Sequence, residues 1–435
     1  MISTKILKSQ TTLRQRRKAL NYFQQKHVDL TSSKQSRPIP IQSLYSTNPI
    51  TETEIREFAA SVIHQEIPIR IARCVTQFRK LPFVVGCHEP IQEIHEIYMR
   101  DLRRLLEVPP ISPHDNGYSE VENLVDICRE IMNDSVEVLP LLIRGMEETH
   151  GFSGMPDEEK QGYKYIENFM KNLLSGRLSI KLMLEHLIKL DDQLKDPNLD
   201  LDKRGIFTLG FSPKKLVENV YLEQVKIVED VYNTPPPKIK VKQVIKLSPE
   251  RMTQKRENGQ IFPYIVEPIE YALREIIKNA LRAQAKAQIK GGQVYTLDSG
   301  TNSFKETDIL NPIEALIVIH NGGFSIKIAD HGTGIRREDI DNNIWKFNFS
   351  KPDEDKEINL DSDYEFQGLG GVAGGDNKSL FGYGCGLPIS KVYVESLGGE
   401  VQLKSIVNYG TSLYFDFPFI VDSGFEETDG KNYHL

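Results

Sequence analysis

The chain has 435 residues, which is enough for two hydrophobic cores of ordinary domain size. Its 54 Lys and Arg against 61 Asp and Glu give a formal net charge of −7, and this acidic excess argues against a nucleic-acid-binding protein. The sequence has no apolar run of about eighteen residues, so no membrane span is predicted, and its four scattered cysteines favour reduced thiols in an intracellular or matrix compartment.

The amino terminus differs in composition from the rest of the chain. Residues Met1 to Val28 include several Lys and Arg, interspersed Ser and Thr, and no acid. That composition is typical of a mitochondrial transit peptide, with an ordinary basic tail as the alternative. Asp29 to Asn48 is rich in Ser, Gln and Pro and is predicted to be a flexible lead-in. We therefore assign residues 1–44 to a transit or flexible segment.

Residues 45–196 are predicted to be helical throughout. The first helix opens at the acidic stretch Thr51–Glu54, and three more helices cover about 91–106, 119–148 and 162–190. Long helices with short connections favour a four-helix bundle. Pro140 predicts a kink in the third helix, because proline cannot donate the backbone hydrogen bond of a helix interior.

Residues 197–420 have a mixed pattern. Pro197 to Gly210 shows little periodicity and is a natural boundary; a short helix then begins at Ser212 and a strand covers 239–245. Alternating helices and strands predict an α/β sandwich with helices on one face of a mixed sheet. The predicted fold class is thus α+β, with a helical bundle over 45–196, a sandwich over 197–420 and a tail over 421–435.

Three motifs in the second region point to chemistry. The first is the stretch 275–283, which has no internal Gly or Pro and is predicted to be helical. Glu275, Asn279 and Arg282 are spaced at i, i+4 and i+7, so a helix places them on one face. A carboxylate, an amide and a guanidinium then share one surface.

The second motif is Asp330-His331-Gly332-Thr333-Gly334, which follows two strand-like runs separated by Asn321-Gly322-Gly323. This order predicts a hairpin that ends in a carboxylate beside a glycine turn. The third is the glycine loop Gly382-Tyr383-Gly384-Cys385-Gly386-Leu387-Pro388, followed by a predicted helix over 389–397. Backbone amides at such a helix start are suited to phosphate oxygens.

Together and in this order, the motifs resemble those of the Bergerat-fold ATPase superfamily of gyrase, heat-shock chaperones, histidine kinases and MutL. The resemblance implies that Asn279 holds Mg²⁺, Asp330 reads the adenine amino group, and Thr411 helps to hold Asp330. It implies that the late glycines fold over the phosphates of ATP. The other residues expected to contact nucleotide are Lys278, Arg282, Gly332, Gly334, Phe349, Ser350, Gly382, Tyr383, Gly384, Cys385, Gly386 and Leu387.

The forms of the first and third motifs are similar to those of the mitochondrial 2-oxo acid dehydrogenase kinases. Three further stretches agree, namely 65–72, 176–180 and 393–399, so the resemblance extends over most of the chain. We identify the chain as a member of this family. Membership implies phosphorylation of a serine on the decarboxylase alpha subunit of such a complex, in the mitochondrial matrix. It also implies a homodimer or a heterodimer with a related kinase, and binding to a lipoyl domain of the acyltransferase core.

Phosphoryl transfer requires a metal to neutralise phosphate charge and a base to accept the serine proton. The amide oxygen of Asn279 is suited to the metal, and Glu275, one turn earlier, is suited to be the general base. Lys278 and Arg282 are candidates to bind phosphates, although Lys278 and Glu275 could instead form a surface ion pair. The acidic, glycine-rich segment Lys351 to Ser379 is predicted to be a mobile lid that orders when ATP binds.

The sequence departs from the family pattern in two places. A family His near the catalytic Glu is replaced by Ser135, or by Met132 in an alternative alignment. The carboxy-terminal Asp-Trp pair of the pyruvate dehydrogenase kinases is absent, since Trp345 is the only Trp. The missing His motivates a second hypothesis, a nucleotide-binding docking regulator without efficient phosphotransfer.

Two further choices remain open at the level of sequence. Pyruvate dehydrogenase is the favoured substrate, and the branched-chain 2-oxo acid dehydrogenase is the alternative, because 262–265 is reminiscent of the branched-chain enzyme's kinase. A histidine kinase or a mechanical ATPase is a third class. The absence of a histidine-box pattern around His186 argues against it.

Overall fold

The computed structural model describes residues 25–111, 118–148, 160–232, 236–248, 262–290, 311–347 and 385–420. The chain divides into two compact units: one comprises Met1–Arg37 and Thr51–Leu187, the other Pro38–Ile50 and Ile188–Leu435. The division after Leu187 lies inside a helix, whereas the predicted boundary at 196 follows that helix. The domain bounds of the sequence analysis therefore stay a prediction.

The first unit is built from helices. Residues 25–32 form α1, and the chain continues through α2 (Glu52–Phe58), a π-helical turn (Ala59–Ile63), α3 (His64–Phe78), α4 (Phe83–Gly86), α5 (Glu89–Glu107), α6 (Ser119–Asp134), a 3-10 turn (Ser135–Glu137), α7 (Val138–Glu148) and α8 (Lys160–Lys195). Helix α5 packs against α3, α6 and α7. Fully buried side chains such as Ile67, Ile71 and Ile94 fill the space between α3 and α5.

The helix predicted over 119–148 is two helices rather than one kinked helix. It breaks at the 3-10 turn Ser135–Glu137, and Pro140 lies in the first turn of α7. The first-turn amides of a helix have no intrahelical acceptor, so proline is tolerated there. The prediction of a kink at Pro140 is therefore wrong, because this proline lies at the start of a separate helix.

The prediction of a flexible lead-in over 29–48 is wrong for the first unit. The buried carboxylate of Glu66 in α3 accepts hydrogen bonds from Ser36 Oγ at 3.3 Å and from the backbone N–H of Arg37 at 3.0 Å. Arg73 donates to the carbonyl of Lys34 at 3.0 Å, and Arg79 bonds Asp29 at 2.5 Å. Side chains of α3 therefore supply hydrogen-bond partners to residues 29–37, and these bonds hold the segment in place.

The same prediction fails for the part of the segment that belongs to the second unit. A 3-10 turn covers Ile41–Leu44, and Ile41 is fully buried. The ring of Tyr45 lies edge-on to Phe207 with centroids 5.3 Å apart. Arg204 donates to the carbonyl of Asn48 at 2.6 Å. Residues distant in sequence therefore order a stretch whose composition is typical of a loop.

The second unit contains two sheets. A small antiparallel sheet has the order β1 (Lys203–Arg204), β2 (Phe207–Phe211), β4 (Phe262–Ile265). The aperiodic boundary predicted over 197–210 thus includes strand residues. The larger sheet is mixed and has the order β3 (Ile239–Lys246), β5 (Ile313–His320), β6 (Gly323–Ala329), β8 (Gly410–Pro418), β7 (Glu400–Ile406). Only β3 and β5 pair in parallel among these strands, and β5 and β6 form the predicted hairpin.

Helices of the second unit are α9 (Pro213–Tyr232), α10 (Glu267–Lys290), α11 (Arg337–Asn342) and α12 (Gly386–Ser396). The prediction of a short helix after Ser212 is wrong, because α9 has 20 residues. Helix α10 continues to Lys290, well beyond the motif over 275–283. Helix α12 begins three residues before the predicted start at 389. Residues 291–310 and the lid segment 351–379 lie outside the described residues.

Packing of α10 gives the second unit its layered form. It contacts α9 and α12, and the rings of Tyr271 and Tyr393 lie 5.1 Å apart between α10 and α12. The strands bury alternate apolar residues such as Ile317 and Ile326 beneath these helices. The α+β fold class is confirmed. Within the described residues, no helix is both long enough and apolar enough to cross a bilayer.

The strap formed by residues 25–37 should contribute to stability through Glu66. We expect Glu66→Ala to lower the free energy of unfolding by about 1–3 kcal/mol, because it leaves the backbone N–H of Arg37 and the hydroxyl of Ser36 without their acceptor. Urea denaturation measures the change. The exposed Glu57 on α2 supplies the matched control Glu57→Ala. Equal stabilities of the two variants would contradict the role of the strap.

Candidate nucleotide site

Two residues of the first motif, Glu275 and Lys278, form an ion pair on α10. Lys278 Nζ donates to Glu275 Oε1 at 2.5 Å, and the two side chains are 15% and 16% exposed. The pair is thus partly shielded from water, which strengthens its attraction compared with a surface ion pair. It fixes one carboxylate oxygen of Glu275 in place. The ion pair that the sequence left as an alternative does form.

The other oxygen of Glu275 faces the start of α12. A Cβ atom added at Gly386 would lie 2.0 Å from Glu275 Oε2, so a side chain here would displace the Glu275 carboxylate from its present position. Ser390 Oγ, one turn into α12, donates to the carbonyl of Gly386 at 2.8 Å. The first and third motifs therefore meet at a direct contact between Glu275 and Gly386.

The second motif is held by the strand β8. The backbone N–H of Asp330 donates to the carbonyl of Thr411 at 2.8 Å, and the backbone N–H of Thr411 donates to Asp330 Oδ1 at 3.2 Å. Asp330 Oδ1 also accepts the N–H of Gly332 at 2.9 Å. One carboxylate oxygen is thus used by the protein, and Oδ2 accepts no hydrogen bond from any described residue.

Two glycines allow the Asp330 turn to approach its neighbours closely. A Cβ at Gly332 would lie 2.6 Å from the Cβ of Ala283 on α10. A Cβ at Gly410 would lie 2.0 Å from the carbonyl oxygen of Asp330, and Gly410 has a φ of +136°, which favours glycine. The turn therefore packs against both the Asn279 helix and the β7–β8 hairpin.

Burial raises the pKa of Asp330 above its ordinary value, although the hydrogen bonds from Gly332 and Thr411 act in the opposite direction. On burial the carboxylate loses hydrogen bonds to water, and the hydrogen bonds from the protein replace only some of them. A ligand amino group that donates to Oδ2 would replace another. The unfilled acceptor Oδ2 of Asp330 therefore suits a donor such as the amino group of adenine.

The remaining predicted residues divide into described and undescribed sets. Asn279 and Arg282 lie half-buried on α10, and the Asn279 side chain makes no hydrogen bond to another described residue. Cys385 is buried at the start of α12, and Leu387 is half-buried in its first turn. Gly334 has a φ of +67° and abuts the carbonyl of Ile406. Five predicted residues lie outside the described residues: Phe349, Ser350, Gly382, Tyr383 and Gly384.

Sequence reasoning overlooked Ser405, a residue that bears on the site. Ser405 on β7 bonds both the turn after Asp330 and the start of β8. A serine at an inward position of an edge strand is a weak signal on its own. Its importance depends on the pairing of β7 with β8, which the sequence does not show.

Ser135 and Met132 are the two residues that could occupy the position of the family His, and both lie in the helical unit. They line a small cavity of about 20 Å³ together with Asp101 and Arg177, enough room for about one water molecule. Arg177 donates to the carbonyl of Ser135 at 2.8 Å. Burial raises the pKa of Asp101 to about 7, and the neighbouring Asp134 adds to the shift.

Comparison with known proteins agrees with this geometry. The signature of a family described as mitochondrial branched-chain alpha-ketoacid dehydrogenase kinase matches residues 38–208. A second signature, described as histidine kinase-, DNA gyrase B-, and HSP90-like ATPase, matches residues 265–420, which include Glu275, Asp330 and Gly386. Together the two signatures and the relatives below support the mitochondrial 2-oxo acid dehydrogenase kinase family for this chain. The second match indicates a Bergerat-type ATPase domain over residues 265–420.

Relatives from animals and plants are similar over most of their length. The mitochondrial pyruvate dehydrogenase (acetyl-transferring) kinase isozyme 4 of Rattus norvegicus is 24% identical over 401 residues, which cover 86% of this chain and 82% of the relative. Isozyme 4 of Homo sapiens is 24% identical, with 85% and 80% covered. The mitochondrial pyruvate dehydrogenase (acetyl-transferring) kinase of Arabidopsis thaliana is 23% identical, with 84% and 86% covered.

The Asp330 carboxylate should lower the free energy of unfolding and raise the affinity for nucleotide. We expect Asp330→Asn to unfold at higher urea concentration than the wild type at pH 7, because the amide stays neutral and its oxygen can still accept from Gly332 and Thr411. Affinity for ADP should fall at least tenfold, since the carboxylate is the stronger acceptor. Calorimetry and denaturation measure the two effects. Asp341→Asn, on the exposed face of α11, is the control and should change neither.

Asp101 should make stability depend on pH. Its folded-state pKa of about 7 lies above the ordinary value of 3.8, so stability decreases as pH rises from about 4 to about 7. We expect Asp101→Asn to be more stable than the wild type at pH 8, with the difference shrinking as the pH approaches 4. Urea midpoints across this range test it. The exposed Asp126→Asn on α6 should show no such trend; a pH-independent difference for Asp101→Asn would contradict the prediction.

Proposed function

We propose that this protein is an ATP-dependent protein serine kinase of the mitochondrial matrix. Its substrate is the decarboxylase alpha subunit of a 2-oxo acid dehydrogenase complex, with pyruvate dehydrogenase favoured, and phosphorylation inactivates that subunit. The observation that supports this most strongly is the contact of Glu275 with Gly386, since it joins a carboxylate base to the start of the glycine-loop helix.

Glu275 is the proposed general base that accepts the proton of the substrate serine. Lys278 holds one oxygen of Glu275 and thereby orients the other toward the glycine loop. Lys278 and Arg282 are also the cations on α10 that can bind phosphate oxygens. Binding of ATP would then offer Lys278 a second anionic partner and release Glu275 for catalysis.

Asn279 is the proposed ligand for Mg²⁺. Its amide lies one helical turn from Glu275, and a neutral oxygen coordinates Mg²⁺ without repelling the phosphates. When bound, the metal neutralises charge on the transferred phosphoryl group. Among the described residues no cluster of His, Cys, Asp or Glu forms a metal site by itself. A magnesium ion here would therefore depend on the phosphates of ATP for most of its ligands.

Asp330, held by Gly332 and Thr411, is the proposed adenine-reading group. Its free Oδ2 and raised pKa fit a hydrogen-bond donor from the base. The residues proposed to contact the rest of the nucleotide are Gly334, Phe349, Ser350, Gly382, Tyr383, Gly384, Cys385, Gly386 and Leu387. The segment 351–379 is the proposed lid.

The helical residues 45–196 are proposed to dock on the dehydrogenase complex, and residues 197–420 to form the kinase domain. A lipoyl domain of the acyltransferase core is a further proposed partner, and the kinase is proposed to be a homodimer or a heterodimer with a related kinase. The agreement of two family signatures and of full-length relatives along the chain supports this assignment. The basic residues before Val28 support mitochondrial import.

A branched-chain 2-oxo acid dehydrogenase is the second candidate substrate. The signature over residues 38–208 bears the description of the branched-chain kinase, whereas the relatives are named as pyruvate dehydrogenase kinases. Incubation of the purified chain with labelled ATP and each complex in parallel distinguishes the two candidates. Label on the pyruvate dehydrogenase alpha subunit is the expected result. Label only on the branched-chain subunit would replace the substrate and retain the kinase.

Replacement of Glu275 should separate catalysis from nucleotide binding. We expect Glu275→Gln to lower kcat about 100-fold or more, because the amide cannot accept the serine proton, while ADP affinity changes little. Single-turnover phosphorylation and calorimetry provide the two readouts.

Glu270→Gln is the matched control, one turn earlier on α10, where Glu270 pairs with Arg274 instead. Its kcat should stay near that of the wild type. If the wild type transfers no more label than Glu275→Ala does, the chain is a docking regulator rather than a kinase.

A further inference from the structure

The side chain of Ser405, on β7, lies where three separate backbone segments meet. Its Oγ accepts the backbone N–H of Ile335 at 2.8 Å and lies 2.9 Å from both the carbonyl oxygen of Gly410 and Oγ1 of Thr411. A serine hydroxyl is both a donor and an acceptor, so this one group can satisfy the N–H of Ile335 and one of the two oxygens.

These contacts enclose the turn that begins at Asp330. Thr411, which pairs with Ser405 across the β7–β8 ladder, holds Asp330 through both backbone and carboxylate. Ile335 lies at the far end of the same turn. Ser405 therefore bonds Ile335, the last residue of the turn. It also contacts Thr411, which holds Asp330, the first residue of the turn.

Further contacts show that the β7–β8 hairpin follows the turn along its length. The N–H of Asn408 donates to the carbonyl of Thr333 at 2.8 Å. Gly334 lies directly against the carbonyl of Ile406. Backbone groups make both contacts, so truncation of a side chain leaves them in place. Ser405 is the side chain through which the hairpin's hold on the turn can be changed.

We infer that Ser405 is a positioning residue that sets the place of the Asp330 carboxylate and so the preference of the site for adenine. The inference rests on the proposed function, in which Asp330 reads the adenine amino group. Without the hydroxyl, the N–H of Ile335 loses its acceptor and Thr411 loses a neighbour that orders it. The turn can then shift while the helix of Glu275 and the start of α12 stay unchanged.

Calorimetric titration of the full chain with ADP and with inosine diphosphate tests the inference. Inosine diphosphate has the same phosphates and ribose, but a keto group in place of the adenine amino group. We expect the wild type to prefer ADP. For Ser405→Ala, ADP affinity should fall on the order of tenfold while inosine diphosphate affinity changes little, so that the preference is largely lost.

Kinetics of the same variants supply a second readout. Ser405→Ala should raise KM for ATP and leave kcat near that of the wild type, because Glu275 is not disturbed. Ser405→Thr keeps the hydroxyl and should keep the ADP preference. Ser412→Ala is the matched control, since Ser412 lies next to Thr411 on the opposite face of β8.

The outcomes separate this inference from the proposed function. An unchanged ADP preference in Ser405→Ala, or an equal loss of both nucleotides, would overturn the role of Ser405 and leave the kinase assignment intact. A wild type that binds neither nucleotide would overturn both. If Ser405→Ala does not fold, Ser405→Cys, with its weaker hydrogen bond, should show a partial loss of preference, and a full preference there would overturn the inference.

Discussion

The site depends on the backbone contact between Asp330 and Thr411. It joins the end of β6 to the start of β8, and through the side chain of Asp330 it places a half-buried carboxylate at this end of the strands. Ionised carboxylates are costly to bury, and the raised pKa of Asp330 reflects that cost. The hydrogen bonds from Gly332 and Thr411 offset part of it. A ligand that donates a hydrogen bond to Oδ2 would offset the rest of this free-energy cost, and this favours its binding.

Close approach through glycine is the second constraint on the site. Gly332 lets the Asp330 turn touch α10 at Ala283, and Gly386 lets the start of α12 touch Glu275. An added Cβ atom would meet the backbone of Ala283 at Gly332 and the side chain of Glu275 at Gly386. The Asp330 turn, Glu275 and the start of α12 are thus brought together by close contacts at two glycines.

The helical unit contains a second carboxyl group whose pKa is raised by burial. Asp101, Arg177 and Ser135 border a cavity that has room for about one water molecule, and burial brings the pKa of Asp101 to about 7. The family pattern has a His where this chain has Ser135 or Met132. Neither Ser135 nor Met132 carries an ionisable carboxyl or imidazole group, whereas the Asp101 carboxyl lies beside the same cavity.

The sequence by itself determined the α+β class, the β5–β6 hairpin and the helical face of Glu275, Asn279 and Arg282, because these follow from local periodicity and turn chemistry. It also identified the three motifs and the family. Tertiary structure decided the rest. Residues 29–48 are ordered because Glu66, Arg73 and Phe207 supply partners from distant parts of the chain. Ser405 matters only because β7 pairs with β8. Long-range pairing of this kind leaves no periodic trace, since each partner is chosen by the packed fold rather than by its neighbours in sequence.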